Sequence, residues 1–385
     1  MRLITAALAL LVAGPALGAN GMRAIGFGPV QVAMGGVGVG ASLDAGTALS
    51  SPAGMAALDA RADLGFGLTG ASVEQEADYS GIAVGYVADT SSRGPALAPA
   101  FGVVVPVGAD WRLGFGAYGV ASLGADYLHG IGGAPSHASY GLMRYAPAVS
   151  WRVLEGLSVG AALNLMYATL DAGLFAVDQF SLGGSAFGIG ATFSARFSPS
   201  PWLDLALAFE TKGLFSDFEF NTVDGAGAAV RRASTLNQPM VAALGAGVRP
   251  VPALLVAADV QWIGWSGVLG PVSSLRLGWR DQVVLKLGAQ LELAGLLLRA
   301  GLDYGASPVD ANLAFDMMFP AIAEAHLALG LGVPLGRAVT LNLCGVFSPR
   351  TTVQGTDTTS FGGAAVPFLV RAAGYEVQAG LAIAY

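Results

Sequence analysis

Cysteine is nearly absent from this chain: Cys344 is the single one, so no internal disulfide can staple the fold. Charge is scarce as well. Asp, Glu, Lys and Arg make up 12% of 385 residues, and Lys212 and Lys286 are the only lysines. The balance of 19 basic and 26 acidic residues, net −7, carries no basic footprint for a nucleic acid and excludes that class of partner. So little charge also excludes a typical cytosolic enzyme. Long apolar runs are missing too, although the mean hydropathy is +0.60. A membrane-crossing helix needs about 20 consecutive apolar residues. The best stretch after the N-terminus, residues 240–260, is broken by Arg249, Pro250 and Pro252.

What the chain does have is 54% hydrophobic residues and 56 glycines. That hydrophobicity excludes a disordered chain. With helices excluded, the other structure that satisfies its backbone inside lipid is a closed β-barrel. The first 18 residues read as a secretory signal: Arg2, then the apolar stretch Leu3 to Ala13, then Ala16-Leu17-Gly18 before the cleavage point. An exported, disulfide-free barrel is the class these features share.

Strands that cross a bilayer run about 9–11 residues and alternate between lipid and lumen. The last strand alternates in this way. Tyr375, Val377, Ala379, Leu381, Ile383 and Tyr385 share one face, with Glu376 and Gln378 on the other. Val283, Leu285, Leu287 and Leu291 oppose Lys286, Gln290 and Glu292, and Leu298, Ala300 and Leu302 oppose Arg299 and Asp303. A one-residue slip would turn these charges into lipid, at roughly 2–4 kcal/mol for a basic residue near the midplane, so the polar faces must point inward. The period predicts fourteen strands, among them 111–121 as the third, 143–151 as the fourth, 338–347 and 374–385 as the last two. Short turns are expected to alternate with longer loops such as 169–185, 213–238 and 306–321. Trp111, Trp151, Trp202 and Trp262 fall near strand ends, where aromatic girdles sit.

Residues 19–61 do not follow the barrel period. They are small and turn-rich, with a short helix expected at their end. A barrel of this size has a lumen that wall side chains do not fill. The segment is therefore expected to plug it, giving a signal at 1–18, a plug at 19–61 and a transmembrane barrel at 62–385.

Ala33-Met34-Gly35-Gly36, Asp44-Ala45 and Ser51-Pro52-Ala53-Gly54 follow in order, then Tyr145-Ala146-Pro147-Ala148, Leu236-Asn237-Gln238-Pro239 and Trp262-Ile263-Gly264-Trp265-Ser266. The run Leu298-Arg299-Ala300-Gly301-Leu302-Asp303-Tyr304, followed by Ser307-Pro308-Val309, completes the set. In order and spacing this chain resembles the FadL family of outer-membrane transporters for long-chain fatty acids and other hydrophobic compounds, toluene-uptake proteins included. Ser51, Pro52 and Ala53 stand where the family's hatch usually has Asn-Pro-Ala, so Ser51 is a departure. The resemblance implies an all-β barrel of fourteen strands in the bacterial outer membrane with an N-terminal hatch. It also implies passive uptake, with capture by outer loops and sideways release into the bilayer beside a kinked third strand. Gly114, Gly116 and Gly119 are the candidates for that opening; the alternative is that they pack against the plug.

A carboxylate ligand would need a basic partner, and Lys286 and Arg299 on the lumenal face are candidates. An internal ion-pair ladder with Asp259, Asp303 or Glu292 is the favoured alternative. Arg276 resembles in position a basic residue that relatives use near ligand. Apolar loop residues, Phe175, Phe215, Phe218 and Phe319 with Met317 and Met318, suggest an outward-facing groove for ligand, against which stands simple loop packing or strand extension. The histidines His129, His137 and His326 have no nucleophile or metal-ligand spacing beside them, so neither an enzyme, a metal nor a cofactor is expected. The expected partners are a long-chain fatty acid or other hydrophobic small molecule and the lipid of the outer membrane. A scaffold or shuttle for secreted proteins is the competing function, and a hydrophilic porin is disfavoured by the plug.

Overall fold

The computed structural model describes residues 20–174, 180–223, 228–270 and 277–385. The signal read at 1–18 lies outside these residues. Among them, fourteen antiparallel strands form the wall. In chain order they are β1 Arg61–Asp78, β2 Ala96–Val107, β3 Trp111–Leu123, β4 Ser136–Leu154, β5 Leu157–Leu174, β6 Phe180–Ser200 and β7 Leu203–Glu210. There follow β8 Val241–Val251, β9 Leu254–Ile263, β10 Gln282–Leu293, β11 Leu296–Gly305, β12 Ala325–Pro334, β13 Val339–Asp357 and β14 Val366–Ala384. Each pairs with its sequence neighbours, and β1 pairs with β14 from Arg61–Ala384 to Ala77–Phe368, which closes the barrel. Closure gives every wall strand a partner on both sides.

The alternation sorts the side chains as expected. Leu64, Phe66, Leu113, Leu205, Leu244, Val283 and Leu329 are exposed on the outer surface, while Asp204, Glu210, Asp259, Lys286, Arg299 and Asp303 are buried inside. At the short-turn end the rings of Trp111 and Trp151 stack outside the wall, centroids 5.5 Å apart. Turns there are tight. Between β10 and β11 two residues suffice, Ala294 at φ 52° and Gly295 at φ 78°, the mirror-image geometry that suits the strand twist.

At the other end the strands run further than the apolar alternation indicates. β4 begins at Ser136 rather than 143, β13 continues to Asp357 rather than 347, and β14 starts at Val366 rather than 374. The outward side chains of these extensions are Glu74, Glu76, Arg350 and Arg371, paired with one another, so the ladder continues where the apolar band has ended. The loop expected at 169–185 is mostly strand for the same reason: β5 reaches Leu174 and β6 starts at Phe180. Tyr385 lies just past β14, its N–H bonded to the carbonyl of Ala60 at 3.1 Å.

Residues 20–58 lie inside the wall. They contain two short helices, α1 Pro29–Ala33 and α2 Thr47–Ser50, and a 3₁₀ turn at Pro52–Ala57. Met22, Ile25, Val32, Met34, Leu49 and Met55 are all fully buried. Wall glycines receive the segment at close range. A Cβ on Gly301 would overlap the backbone of Met34 and Gly35, and one on Gly245 would overlap Gly40.

Candidate functional site

Polar bonds fix the N-terminal segment around the whole lumen. The Asp259 carboxylate on β9 accepts the N–H groups of Gly38, Val39 and Gly40 at 2.9, 2.9 and 2.7 Å, three successive donors turned toward one anion. On the other side, Ser51-Pro52-Ala53 is clamped by serines. The N–H of Ala53 donates to Ser194 Oγ at 2.7 Å, and its carbonyl accepts from Ser150 and Ser158 at 3.1 and 2.9 Å. Ser51 itself is buried without a hydrogen-bond partner for its hydroxyl. Arg61 donates to the carbonyl of Leu43 and Asp63 accepts from Ala45, holding the loop before α2. Asp44 in that loop accepts from Gln31 at 3.0 Å; burial, with Asp63 close by, pushes its carboxyl up to about 7.

Lys286 belongs to this fastening, whereas Arg299 bonds within the wall. Lys286 donates to the carbonyls of Ile25 and Gly36 and stands 3.7 Å from Asp303, which also accepts from Asn20 at 3.0 Å. Arg299 donates to Gln290 at 2.7 Å and Asn342 at 2.8 Å. A second cluster joins Arg23 of the segment, bidentate on Glu210 at 2.9 and 3.0 Å, to Arg144 of β4 on the same carboxylate.

The third strand breaks the regularity of the wall. β2 and β3 pair from Val107–Trp111 up to Ala100–Tyr118 and no further. In continued register Pro99 would face Gly119. A proline has no N–H to give a ladder, and glycine marks bends in strands, so the pairing ends where both occur. On its other edge β3 shifts register against β4 between Gly119 and Ala121. Such a bulge bends the strand. The freed carbonyl of Val120 accepts the N–H of Ala24 at 2.9 Å, and Arg23 forms a bridge with Ala121. Beyond Tyr118 the β2–β3 seam is therefore shut by contact alone: a Cβ on Gly119 would lie 3.3 Å from Pro99 Cδ and 3.6 Å from Ala98 Cβ. Gly114 and Gly116 lie lower on the strand and face inward, against Met55 and Leu49.

At the long-loop end an apolar cluster covers the lumen. Phe215, Phe218, Trp265, Trp279, Met317, Met318 and Phe319 are buried together. Trp265 and Trp279 meet edge to face at 5.1 Å, and Tyr127 donates to the carbonyl of Met317 at 3.2 Å. Asp316 sits among them, its carboxyl held well above the usual range by burial. Phe215, Phe218 and Phe319 are all buried in the same apolar core, while Lys286 bonds the N-terminal segment and Arg299 bonds Gln290 and Asn342 of the wall. Phe175 and Arg276 lie outside the described residues. Sequence reasoning passed over Pro99, Arg23, Arg144 and Phe27. Pro99 carried a readable signal, a proline inside a strand pattern; Arg23 was the one basic residue of the segment before Arg61.

The family described as outer membrane protein transport protein (OMPP1/FadL/TodX) matches residues 9–196. No curated protein matches the chain in sequence. Among solved structures, a FadL homologue of Pseudomonas aeruginosa superposes with a TM-score of 0.77 at 14% identity, covering 94% of this chain and 99% of that one. The toluene transporter TodX of P. putida gives 0.73 at 18% identity, covering 94% and 99%. The toluene transporter TbuX of Ralstonia pickettii gives 0.69 at 18%, covering 94% and 98%. The model of the OMPP1/FadL/TodX family of outer-membrane transport proteins thus matches the N-terminal part of this chain, and the fourteen-stranded wall with its outward apolar band has the fold of these solved structures.

Proposed function

We propose that the chain is a passive importer of hydrophobic small molecules, captured at the extracellular loops and released sideways into the bilayer, with residues 19–61 as its hatch. The two toluene transporters among the solved relatives and the FadL homologue are the precedent for a hydrophobic cargo. The extracellular cluster of Phe215, Phe218, Phe319 and the two tryptophans offers capture. Transfer of apolar surface out of water is worth about 25 cal/mol per Å², and a lateral exit spares the cargo the periplasm. The observation that carries the reading is the β2–β3 seam, a stretch of wall with no ladder bonds that the Arg23-Ala24 backbone patches from inside. Gly119 belongs to that exit; Gly114 and Gly116 seat the hatch. Long-chain fatty acids and neutral hydrocarbons both fit this route.

The seam supplies the test. Ala98→Cys with Gly119→Cys would place two Cβ atoms about 3.6 Å apart, within disulfide range, in a chain whose native cysteine is buried. Cells carrying the oxidised pair should lose uptake of labelled hydrocarbon or fatty acid and regain it with a reductant. Full uptake with the staple closed would rule out exit at this seam. Co-purification of a stoichiometric secreted protein, with no bound lipid or hydrocarbon, would favour the scaffold reading instead.

A further inference from the structure

Two small cavities lie near Phe27. The first, about 40 Å³, lies in the lumen and is lined by Arg23, Phe27, Glu210, Gln261 and Lys286 among others. The second, about 20 Å³, is lined by Gly28, Pro29, Ala100 and Tyr118 and by the outward-facing Leu64 and Leu381 of the wall. Ala100 and Tyr118 are the last ladder pair below the seam, so the second cavity abuts the place where the wall is unbonded. The Phe27 ring lines the first and packs on Tyr118, which lines the second. It lies tilted on Tyr118 with centroids 6.0 Å apart, and the guanidinium of Arg144 sits 5.9 Å from its centroid on another side. Its N–H donates to Gln31 Oε1 at 3.3 Å, a bond that a turn of the residue would break. Gly26 and Gly28 flank it, and Gly28 holds a left-handed φ of 83° that side chains rarely adopt.

Arg144 is wholly buried, and only its Nη2 reaches Glu210; Nε and Nη1 have no hydrogen-bond partner. The ring face of Phe27 is what covers the rest of this charge. Swinging Phe27 away would leave a buried guanidinium bare, unless the displacing group offers a π face of its own. An aromatic ring does so, and an alkyl chain does not. A carboxylate would also cover Arg144, but as a buried ion pair, whose separation is strongly unfavourable, so it would be retained rather than passed on.

We propose that Phe27 is the valve between the lumenal cavity and the wall seam, and that its cation–π seat on Arg144 makes the valve yield selectively to uncharged aromatic ligands. The inference rests on the importer reading and narrows its cargo. An arriving ring takes the place of the Phe27 ring over Arg144; Phe27 turns on its flanking glycines, and the ligand passes Tyr118 toward the seam.

Uptake of labelled toluene and of labelled oleate by cells carrying the full chain tests this. The readout is the toluene-to-oleate ratio, with the heat-dependent gel shift of each variant showing that its barrel is folded. Phe27→Leu fills much of the space without a π face, and Arg144→Gln removes the cation while keeping a donor toward Glu210. Each should lower the ratio by roughly 2–30-fold, the factor that a cation–π contact supplies. Phe27→Tyr should restore it. An unchanged ratio in folded Phe27→Leu, or a native protein that favours oleate, would overturn the valve while leaving the importer standing. Uptake of neither compound above that of cells lacking the protein would instead sink the importer reading itself.

Discussion

Asp259 holds three consecutive backbone N–H groups with one carboxylate, so truncating it orphans all three at once. Each buried donor left unpaired costs about 1–3 kcal/mol. Asp259→Ala should therefore lower the barrel's thermal gel-shift temperature and raise its conductance in planar bilayers, because the N-terminal segment loses its hold on β9. Asp44 makes a second prediction, with a definite sign. Its carboxyl is raised from 3.8 to about 7 by burial first and by Asp63 second, against Arg61 and the Gln31 hydrogen bond. Between those values the folded protein binds more protons than the unfolded one, so stability falls as pH rises through that window and levels off above it. The protection factors of amides in residues 43–50, taken relative to the intrinsic exchange rate at each pH, should be higher at pH 5 than at pH 8, and Asp44→Asn should flatten the difference. Neither partner set was legible in the sequence. Asp259 could be placed on a lumenal face by period two, but what it faces is a loop about 220 residues away. Lys286 and Arg299 were legible as inward cations, and the ion-pair alternative describes Lys286 beside Asp303.

At the scale of elements, the alternation located every wall strand because lipid imposes it. It failed at the long-loop ends, where the ladder outlasts the lipid and the outward residues turn polar. The bend in β3 was half legible. Its glycines stood out, yet the sequence could not tell Gly114 and Gly116, which meet Met55 and Leu49, from Gly119, which meets Pro99. Substitution tests the same kind of close approach elsewhere in the wall. Gly301→Val would drive a side chain into the backbone of Gly35 and should destabilise the barrel by about 1–3 kcal/mol, as overpacking does. Gly345→Ala, two strands further on in β13 with nothing within 4 Å of the new methyl, should leave the same melting profile unchanged. Equal behaviour of the two would mean that the wall does not hold the hatch by close approach.

The whole molecule combines a wall continuous around its closure with an N-terminal segment that follows the inner surface from β3 to β14. The count of strands, the inward charges and the need for something to fill the lumen were all present in composition and period. The path of the segment was not, since it depends on contacts between residues hundreds of positions apart. Its seating on bare backbone has a bearing on assembly. A segment that meets Gly245 and Gly301 main chain to main chain cannot be threaded into a finished cylinder past side chains that narrow the way. It is joined to β1 by residues 59–60, and the ladder that completes the cylinder is the one between β1 and β14, the last strand to be made. The order of events is thus written into the geometry: the N-terminal segment must lie in the open trough of strands before β14 zips against β1, and from then on it is captive.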